Sequence, residues 1–347
     1  MSTVMPNRRV VLAARPAGKV QAGNFAIEEG PMPVPGDGQL LVENLYLSID
    51  PGVRNLLGAE TGYLPPVPIG AGLSGTVLGR VVETRHAGFS AGDLLVGRGT
   101  ISLFSLITPD GLCWKIDPAR VRPLHHALGL LGVPGLTAHV GLLDVARARP
   151  GETVLVSGGA GTVGSIAGQI ALFKGCRAIG IAGGAEKCRR MVEEFGFDAA
   201  VDYRGRNVAE LADAIGAACP GGVDVLFDNV GGRVLDAALA RMNPGGRVAA
   251  CGMISQYDGG PAPEMHNLFH IISKSLRIEG FLLFNFVERY PQALAELEAW
   301  VAAGEIRLPM DIGEGLEQAV PMFLKLFSGE NRGKPIIRLG AAAALEA

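Results

Sequence analysis

Two patterns of apolar and polar positions divide the chain. Up to about residue 125 the apolar residues fall in short runs, Arg9–Ala13, Gln39–Leu47, Gly75–Thr84, Leu94–Gly97 and Ile101–Ile107. Turn sequences such as Pro35-Gly36-Asp37-Gly38 and Ser90-Ala91-Gly92-Asp93 separate them. Short strands at this spacing predict a compact β-barrel-like domain. From His126 the texture changes. Ala127–Val145 reads as two helices broken near Pro134-Gly135, with Thr137 as the N-cap candidate. Beyond it, strands are predicted at 153–157, 177–182, 199–202, 223–228, 247–251 and 276–281. They alternate with helices predicted at 165–174, 185–195, 207–218, 233–241 and 290–303. Such a rhythm implies α/β layers: a doubly wound parallel sheet with right-handed crossovers.

The last apolar run, Pro335–Leu339, reads as a strand returning to the first domain. The expected organisation is therefore 1–125, then 126–304, then 305–340 rejoining the first domain. The alanine-rich residues 341–347 read as an appended expression scar and are excluded from fold reasoning.

One stretch of the second region carries chemistry. The run Val154-Leu155-Val156 leads into Gly158-Gly159-Ala160-Gly161-Thr162-Val163-Gly164, a helical segment to Lys174, and a second apolar run to Ala182. Strand, glycine turn, helix and strand within about thirty residues form a dinucleotide-binding unit. Gly159 is expected to turn the chain off the strand, and Gly161 to let the backbone approach a pyrophosphate. Gly164 is expected to let the helix pack close, while the helix N-terminus, from Thr162 and Val163, holds the phosphates. An NAD-type site wants an acid at the end of the second strand. Here that strand ends Ala182-Gly183-Gly184 and is followed by Lys187, Arg189, Arg190 and, later, Tyr203. A cation-rich tip without a carboxylate favours an adenosine 2′-phosphate, hence NADP(H). Glu186 stands either as a ribose acid or as a first-turn glutamate complementing the helix dipole. A cleft between the two domains is the expected substrate site.

Composition narrows the picture. The 347 residues are 48% hydrophobic and 19% charged, with a formal charge of −3, so nothing points to nucleic acid or an anionic membrane. No apolar run approaches the ~20 residues that span a bilayer, and no signal-peptide core is visible, so a cytoplasmic location is expected. The 5 cysteines include no CxxC pair, which argues against a disulfide framework and a four-cysteine zinc lobe. No metal site is expected. His266 and His270 are spaced to share a helix face but lack a third ligand, and His125, His126 and His139 read as structural.

Six further motifs carry a resemblance. They are Ser48-Ile49-Asp50-Pro51 with Arg54, Gly132-Val133-Pro134-Gly135-Leu136-Thr137-Ala138, and Ser165-Ile166-Ala167-Gly168-Gln169. Next come Phe227-Asp228-Asn229-Val230-Gly231-Gly232, Cys251-Gly252-Met253-Ile254-Ser255-Gln256-Tyr257 and Gly329-Glu330-Asn331-Arg332-Gly333-Lys334. From about Leu41 to Leu339 the chain resembles the zinc-independent medium-chain dehydrogenases/reductases, within the prostaglandin reductase, leukotriene hydroxydehydrogenase and NADPH-dependent curcumin reductase branch. The resemblance implies a GroES-like β-barrel catalytic domain, a Rossmann domain and a homodimer. It implies NADPH-dependent reduction of the C=C bond of α,β-unsaturated ketones and aldehydes, with an enolate intermediate. Tyr257 is then the donor to the developing oxyanion. Asn229, Cys251 and the backbone of Phe281 to Leu283 flank the nicotinamide ribose and carboxamide, and Asn331 reaches the cofactor. Lys187 and Tyr203 match the positions that hold the 2′-phosphate. Arg54 and the Cys251 side chain also admit purely structural readings.

The chain departs from the family where substrate is expected. Gly52-Val53 replaces Tyr-Met, and Ile101-Ser102-Leu103-Phe104 replaces an aromatic-polar run. With Met253, Tyr257 and Phe284 these residues predict a roomier, more apolar pocket. Two other functions remain open at this level: an NADPH:quinone reductase, and a catalytically weak NADPH-binding structural or sensing protein.

Overall fold

The computed structural model describes residues 6–59, 64–257, 263–340 and 342, so most of the alanine-rich residues 341–347 lie outside the described residues. The chain divides into two compact units, residues 1–132 with 309–347, and residues 133–308.

In the first unit β1 (Asn7–Leu12) pairs antiparallel with β2 (Phe25–Gly30). There follow β3 (Leu40–Ser48), β4 (Ser74–Thr84), β5 (Leu94–Thr100), β6 (Phe104–Ile107) and β7 (Trp114–Ile116). β3 lies between β4 and β6, and β5 between β4 and β7, all antiparallel. Leu40, Val42, Leu47, Val77 and Leu95 fill the core together with Leu12 of β1. The predicted strand Ile101–Ile107 is shorter than expected. Asn44 draws the segment before it out of the ladder, its Nδ2 donating to Ser102 O (2.8 Å) and Ser105 Oγ (2.9 Å). A buried amide on a central strand needs those partners, and the bend supplies them.

The second unit opens with α1 (Val133–His139), which runs without a break into a π-helical turn over Val140–Val145. The break expected at Pro134-Gly135 lies instead before Val133, because proline in a first turn sacrifices no helical hydrogen bond. Thr137 is not a cap: its hydroxyl donates back to Val133 O (2.7 Å). The sheet and its crossovers then alternate as β8 (Thr153–Ser157), α2 (Thr162–Phe173), β9 (Arg177–Ala182), α3 (Ala185–Glu193), β10 (Ala199–Asp202) and α4 (Val208–Ala218). They continue as β11 (Val223–Asp228), α5 (Gly232–Arg241), β12 (Met242–Ala250), α6 (Ile254–Tyr257), α7 (Phe269–Ser273), β13 (Arg277–Gly280) and α8 (Tyr290–Ala302).

The six strands are all parallel in the order β10-β9-β8-β11-β12-β13, so strand order reverses between β8 and β11. Val154, Leu155, Val156 and Val225, Leu226, Phe227 are buried on both faces, as helix-covered central strands require. The carboxyl ends beside such a switch point are where ligands bind in open α/β sheets. His270 falls on α7 but His266 precedes it, so the two do not share a helix face.

The chain then adds β14 (Met310–Glu314), α9 (Ala319–Ser328) and β15 (Lys334–Arg338) to the first unit. β15 pairs antiparallel with β3 and parallel with β14, and α9 buries Met322 and Phe323 in the same core as β3. Among the described residues no helix is long and apolar enough to cross a membrane.

Candidate active site

The turn between β8 and α2 is built by exclusion of side chains. Gly158 supplies the left-handed residue (φ 62°), a task the sequence pattern had assigned to Gly159. Gly159 is side-chain-free for a different reason: a Cβ there meets Met191 Sδ at 2.7 Å. At Gly164 a Cβ meets Gly158 O at 2.3 Å, so only glycine lets the first turn of α2 sit on the loop. Gly161 is the N-cap and brings no side-chain acceptor, leaving the first N–H groups at Thr162 and Val163 to a ligand. A phosphate bridge fits this cradle.

Cations gather at the tip of β9. Gly183-Gly184 leads into α3, and Asp202 at the end of β10 accepts from the N–H groups of Gly184 (2.8 Å) and Arg204 (2.9 Å). Burial alone raises the Asp202 carboxyl, but these two N–H groups and the charges of Arg204 and Arg206 hold it below the usual carboxylate range. Asp202 is therefore engaged by the backbone, and Glu186, in the first turn of α3, is a second carboxylate acting on this cluster. Cβ atoms built on Gly183 lie 3.0 Å from both Arg204 Nε and Tyr203 Oη, which places those two groups over the glycine pair. Lys187, in the first turn of α3, has its ammonium pKa lowered by burial first and then by Arg204 and Arg190. Cations gathered at a helix N-terminus oppose its dipole, an arrangement relieved by a bound anion. Arg204 was missed in the sequence; the signal was the run Tyr203-Arg204-Gly205-Arg206, two cations behind the tyrosine.

At the ends of β8 and β11 a buried carboxylate sets the loop. Asp228, fully buried, accepts from Ser157 Oγ (2.5 Å) and from the N–H groups of Val230 and Gly231. Burial raises its pKa despite these bonds. Ser157 Oγ in turn accepts from the Asn229 N–H (2.8 Å), and Asn229 Nδ2 donates to Ser157 O (2.8 Å). Asn229 is thereby fixed at the switch point. Cys251 meets Asp228 through its backbone N–H (2.8 Å), while burial and then the Asp228 charge push its thiol up to about 12. A thiol so protonated is a packing group.

Just beyond β12, α6 carries Tyr257. Its hydroxyl accepts the Met253 N–H (3.4 Å) and lies 3.3 Å from a Cβ placed on Gly252, a position that is also 3.4 Å from Asn229 O. The phenolic proton points to no acceptor within the chain among the described residues, so the group is a donor held beside the Asn229 loop. Met253 is exposed. Phe281 turns inward, stacking edge-on to Phe227 and Phe286 above Gly141 of the π-helical turn. Leu283 O accepts from Tyr290 Oη (3.0 Å), and Phe284 is exposed.

The remaining predicted residues belong to the first unit. Gly52 sits in the 3-10 turn Pro51–Leu56, and Arg54 Nη2 donates to Gly18 O (2.8 Å). Leu103 packs on the barrel-side core, and Phe104 opens β6, its N–H and O both bonded to the Asn7 side chain. Asn331 lies before β15 and donates to Gly333 O (3.2 Å). Two sequence motifs meet here: Lys334, 1% exposed, donates to Asp50 Oδ1 (2.6 Å) and Ile49 O (2.9 Å), and Ser48 Oγ donates to Asp50 Oδ2 (2.6 Å). Among the described residues no three His, Cys, Asp or Glu side chains gather as a metal site.

Known proteins share this arrangement. Residues 8–113 match the family described as the N-terminal domain of oxidoreductase, and residues 162–299 the zinc-binding dehydrogenase family. NADPH-dependent curcumin reductase of Escherichia coli (strain K12) is 38% identical over 96% of this chain and 97% of its own. The 2-alkenal reductase (NADP(+)-dependent) of Nicotiana tabacum is 37% identical over 97% of this chain and 98% of its own. The crystal structure of CurA from Vibrio vulnificus in complex with NADPH superposes with a TM-score of 0.87 at 34% identity, covering 96% of this chain and 99% of that one. Matched along nearly its whole length in both sequence and fold, the chain belongs to the medium-chain dehydrogenase/reductase superfamily, in the zinc-independent branch of the curcumin and alkenal reductases.

Proposed function

We propose that the protein is an NADPH-dependent reductase of the C=C bond in α,β-unsaturated ketones and aldehydes. NADPH, when bound, supplies the hydride for the β-carbon. The protein's share is placement and charge. The glycine turn and the N-terminus of α2 hold the pyrophosphate. Lys187 and Tyr203, joined by Arg204, receive the 2′-phosphate, and Asn229, the Cys251 backbone and the backbone from Phe281 to Leu283 surround the nicotinamide end. As the β-carbon is reduced, negative charge grows on the substrate's carbonyl oxygen, and Tyr257 donates its proton as a hydrogen bond to that oxygen. A neutral phenol stabilises an enolate without bringing an opposing charge, and a proton that reaches the α-carbon then completes the saturated product.

The single observation that carries this reading is the Tyr257 hydroxyl. Its oxygen accepts the Met253 N–H and its proton has no acceptor among the described residues, beside the loop that fixes Asn229. The test is NADPH oxidation by the purified protein with a short enone, an enal and a quinone, with product identified by mass spectrometry. Saturated ketone carrying deuterium at the β-carbon from labelled NADPH is expected. Turnover of the quinone alone, or cofactor binding without turnover of any of the three, defeats the proposal.

A further inference from the structure

Tyr257 is held by more than its own short helix. Five consecutive N–H groups lead up to it, and each has an acceptor within the chain. Those of Cys251 (2.8 Å) and Gly252 (3.1 Å) donate to Asp228 O, that of Ile254 to Asn229 O (3.2 Å) and that of Ser255 to Val230 O (3.2 Å). The Ser255 hydroxyl adds a bond to Val230 O (2.6 Å). The remaining N–H, from Met253, is the one that the Tyr257 hydroxyl accepts. Residues 251–255 are thus laid along the carbonyls of Asp228, Asn229 and Val230. Each of those carbonyls shares a planar trans peptide with the N–H of the next residue, which points the opposite way. These N–H groups have partners too. Asn229 donates to Ser157 Oγ, while Val230 and Gly231 donate to the Asp228 carboxylate, which also accepts the Ser157 hydroxyl. Ser157 and Asp228 are both fully buried.

We propose, resting on the reading of Tyr257 as the enolate donor, that Ser157 and Asp228 are positioning residues for the reaction. They set where the Tyr257 hydroxyl stands, acting through the peptide planes of the 228–231 loop. A buried carboxylate is weak support for stability, because its desolvation offsets what its bonds return. Donors converging on it do something more specific here. They pin the N–H side of three successive peptide planes, and the carbonyl side of the same three planes carries the segment that ends in Tyr257. Removing an acceptor from one side frees a plane to rotate, and the carbonyl turns with it. Little slack absorbs such a rotation: a Cβ on Gly231 meets Met253 Cβ at 3.3 Å, and one on Gly252 meets the Tyr257 hydroxyl at 3.3 Å. A donor aimed at developing charge works through geometry fixed in advance, so a displaced phenol costs rate.

Two measurements on the full-length protein test it. The first is a double-mutant cycle on NADPH-dependent reduction of a short enone. Ser157→Ala removes the acceptor of the Asn229 N–H and is expected to lower kcat ~10-fold, as a small misplacement does. In a Tyr257→Phe background the same change is expected to cost less than about twofold, since groups that act as a unit are not additive. Equal losses in the two backgrounds overturn the proposal. The second measurement needs no turnover: fluorine NMR of protein labelled with fluorotyrosine. The chain has 5 tyrosines, and Tyr257→Phe identifies the line of Tyr257. Ser157→Ala is expected to move that line and leave the other tyrosine lines in place. A Tyr257 line unmoved by Ser157→Ala overturns the proposal. A line that moves in a protein inactive on every enone upholds the positioning and defeats the catalytic reading instead. Ser157→Cys, close in volume but a poor acceptor, is expected to act in the same direction and serves both measurements if the alanine variant does not fold.

Discussion

Two lysines, one in each unit, are drawn out of bulk water into opposite surroundings. Lys334 is met by a carboxylate and a carbonyl, every contact supplied by the chain, and it joins the returning strand to the turn after β3. Lys187 is half-buried beside Arg204 and Arg190, with no hydrogen bond or ion pair of its own among the described residues. A cation whose partners are internal maintains architecture. One repelled by Arg204 and Arg190, with Glu186 alone offsetting them among the causes of its shift, is expected to gain from an added anion. Tyr257 combines both conditions in one hydroxyl, its oxygen engaged and its proton without an acceptor among the described residues.

This contrast can be broken at several points. The largest effect is expected at Lys334→Met, which leaves Asp50 without its cation. Unfolding in urea should show a loss of about 3 kcal/mol, against less than about 0.5 kcal/mol for Lys187→Met, as for ordinary surface changes. Equal losses end the distinction. Next, Tyr257→Phe is expected to lower kcat ~100-fold, as loss of an oxyanion donor does, with the NADPH dissociation constant unchanged. Weaker cofactor binding at full turnover contradicts that role. Lys187→Ala should weaken NADPH about tenfold and NADH hardly at all, by loss of a charge-assisted contact; titration of protein fluorescence with each cofactor reads this directly. Arg204→Ala is expected to do the same with a smaller factor, roughly threefold, because its guanidinium is exposed and screened.

The smallest effect is a pH dependence. His126 and His139 have pKa values lowered from 6.5, each by burial first, with the His125 charge adding at His126. The unfolded chain binds these protons near 6.5 while the folded chain resists them. Stability is therefore full above 6.5 and falls as pH drops from there through the folded values. A urea midpoint that stays flat between pH ~7 and ~5 contradicts this.

Much of this was legible in the sequence because period and burial agree there. β8, β9, β10 and β11 were predicted to the residue, since parallel strands covered by helices read as short, mostly apolar runs that end at polar or glycine residues. β2, Phe-Ala-Ile-Glu-Glu-Gly, and β14, Met-Asp-Ile-Gly-Glu, carry too much polarity at exposed positions to signal a strand, and their pairing is decided by non-local partners. The break at Pro134 was misplaced because proline gives the same local signal inside a helix and at its first turn. Arg204 shows the deeper limit: its importance comes from lying over Gly183-Gly184, a juxtaposition made by β9 and β10 pairing across nineteen residues of chain (about one crossover unit).

The turn after β8 and the tip of β9 divide two tasks that a single loop might have shared. At the first, even a methyl group on Gly164 collides with the backbone; at the second, the atoms that a Cβ on Gly183 would meet are the ends of the Arg204 and Tyr203 side chains. Anyone redesigning this protein to run on a cheaper reductant has a clear starting point: leave the crowded loop untouched, and rewrite Lys187, Tyr203 and Arg204 as a set.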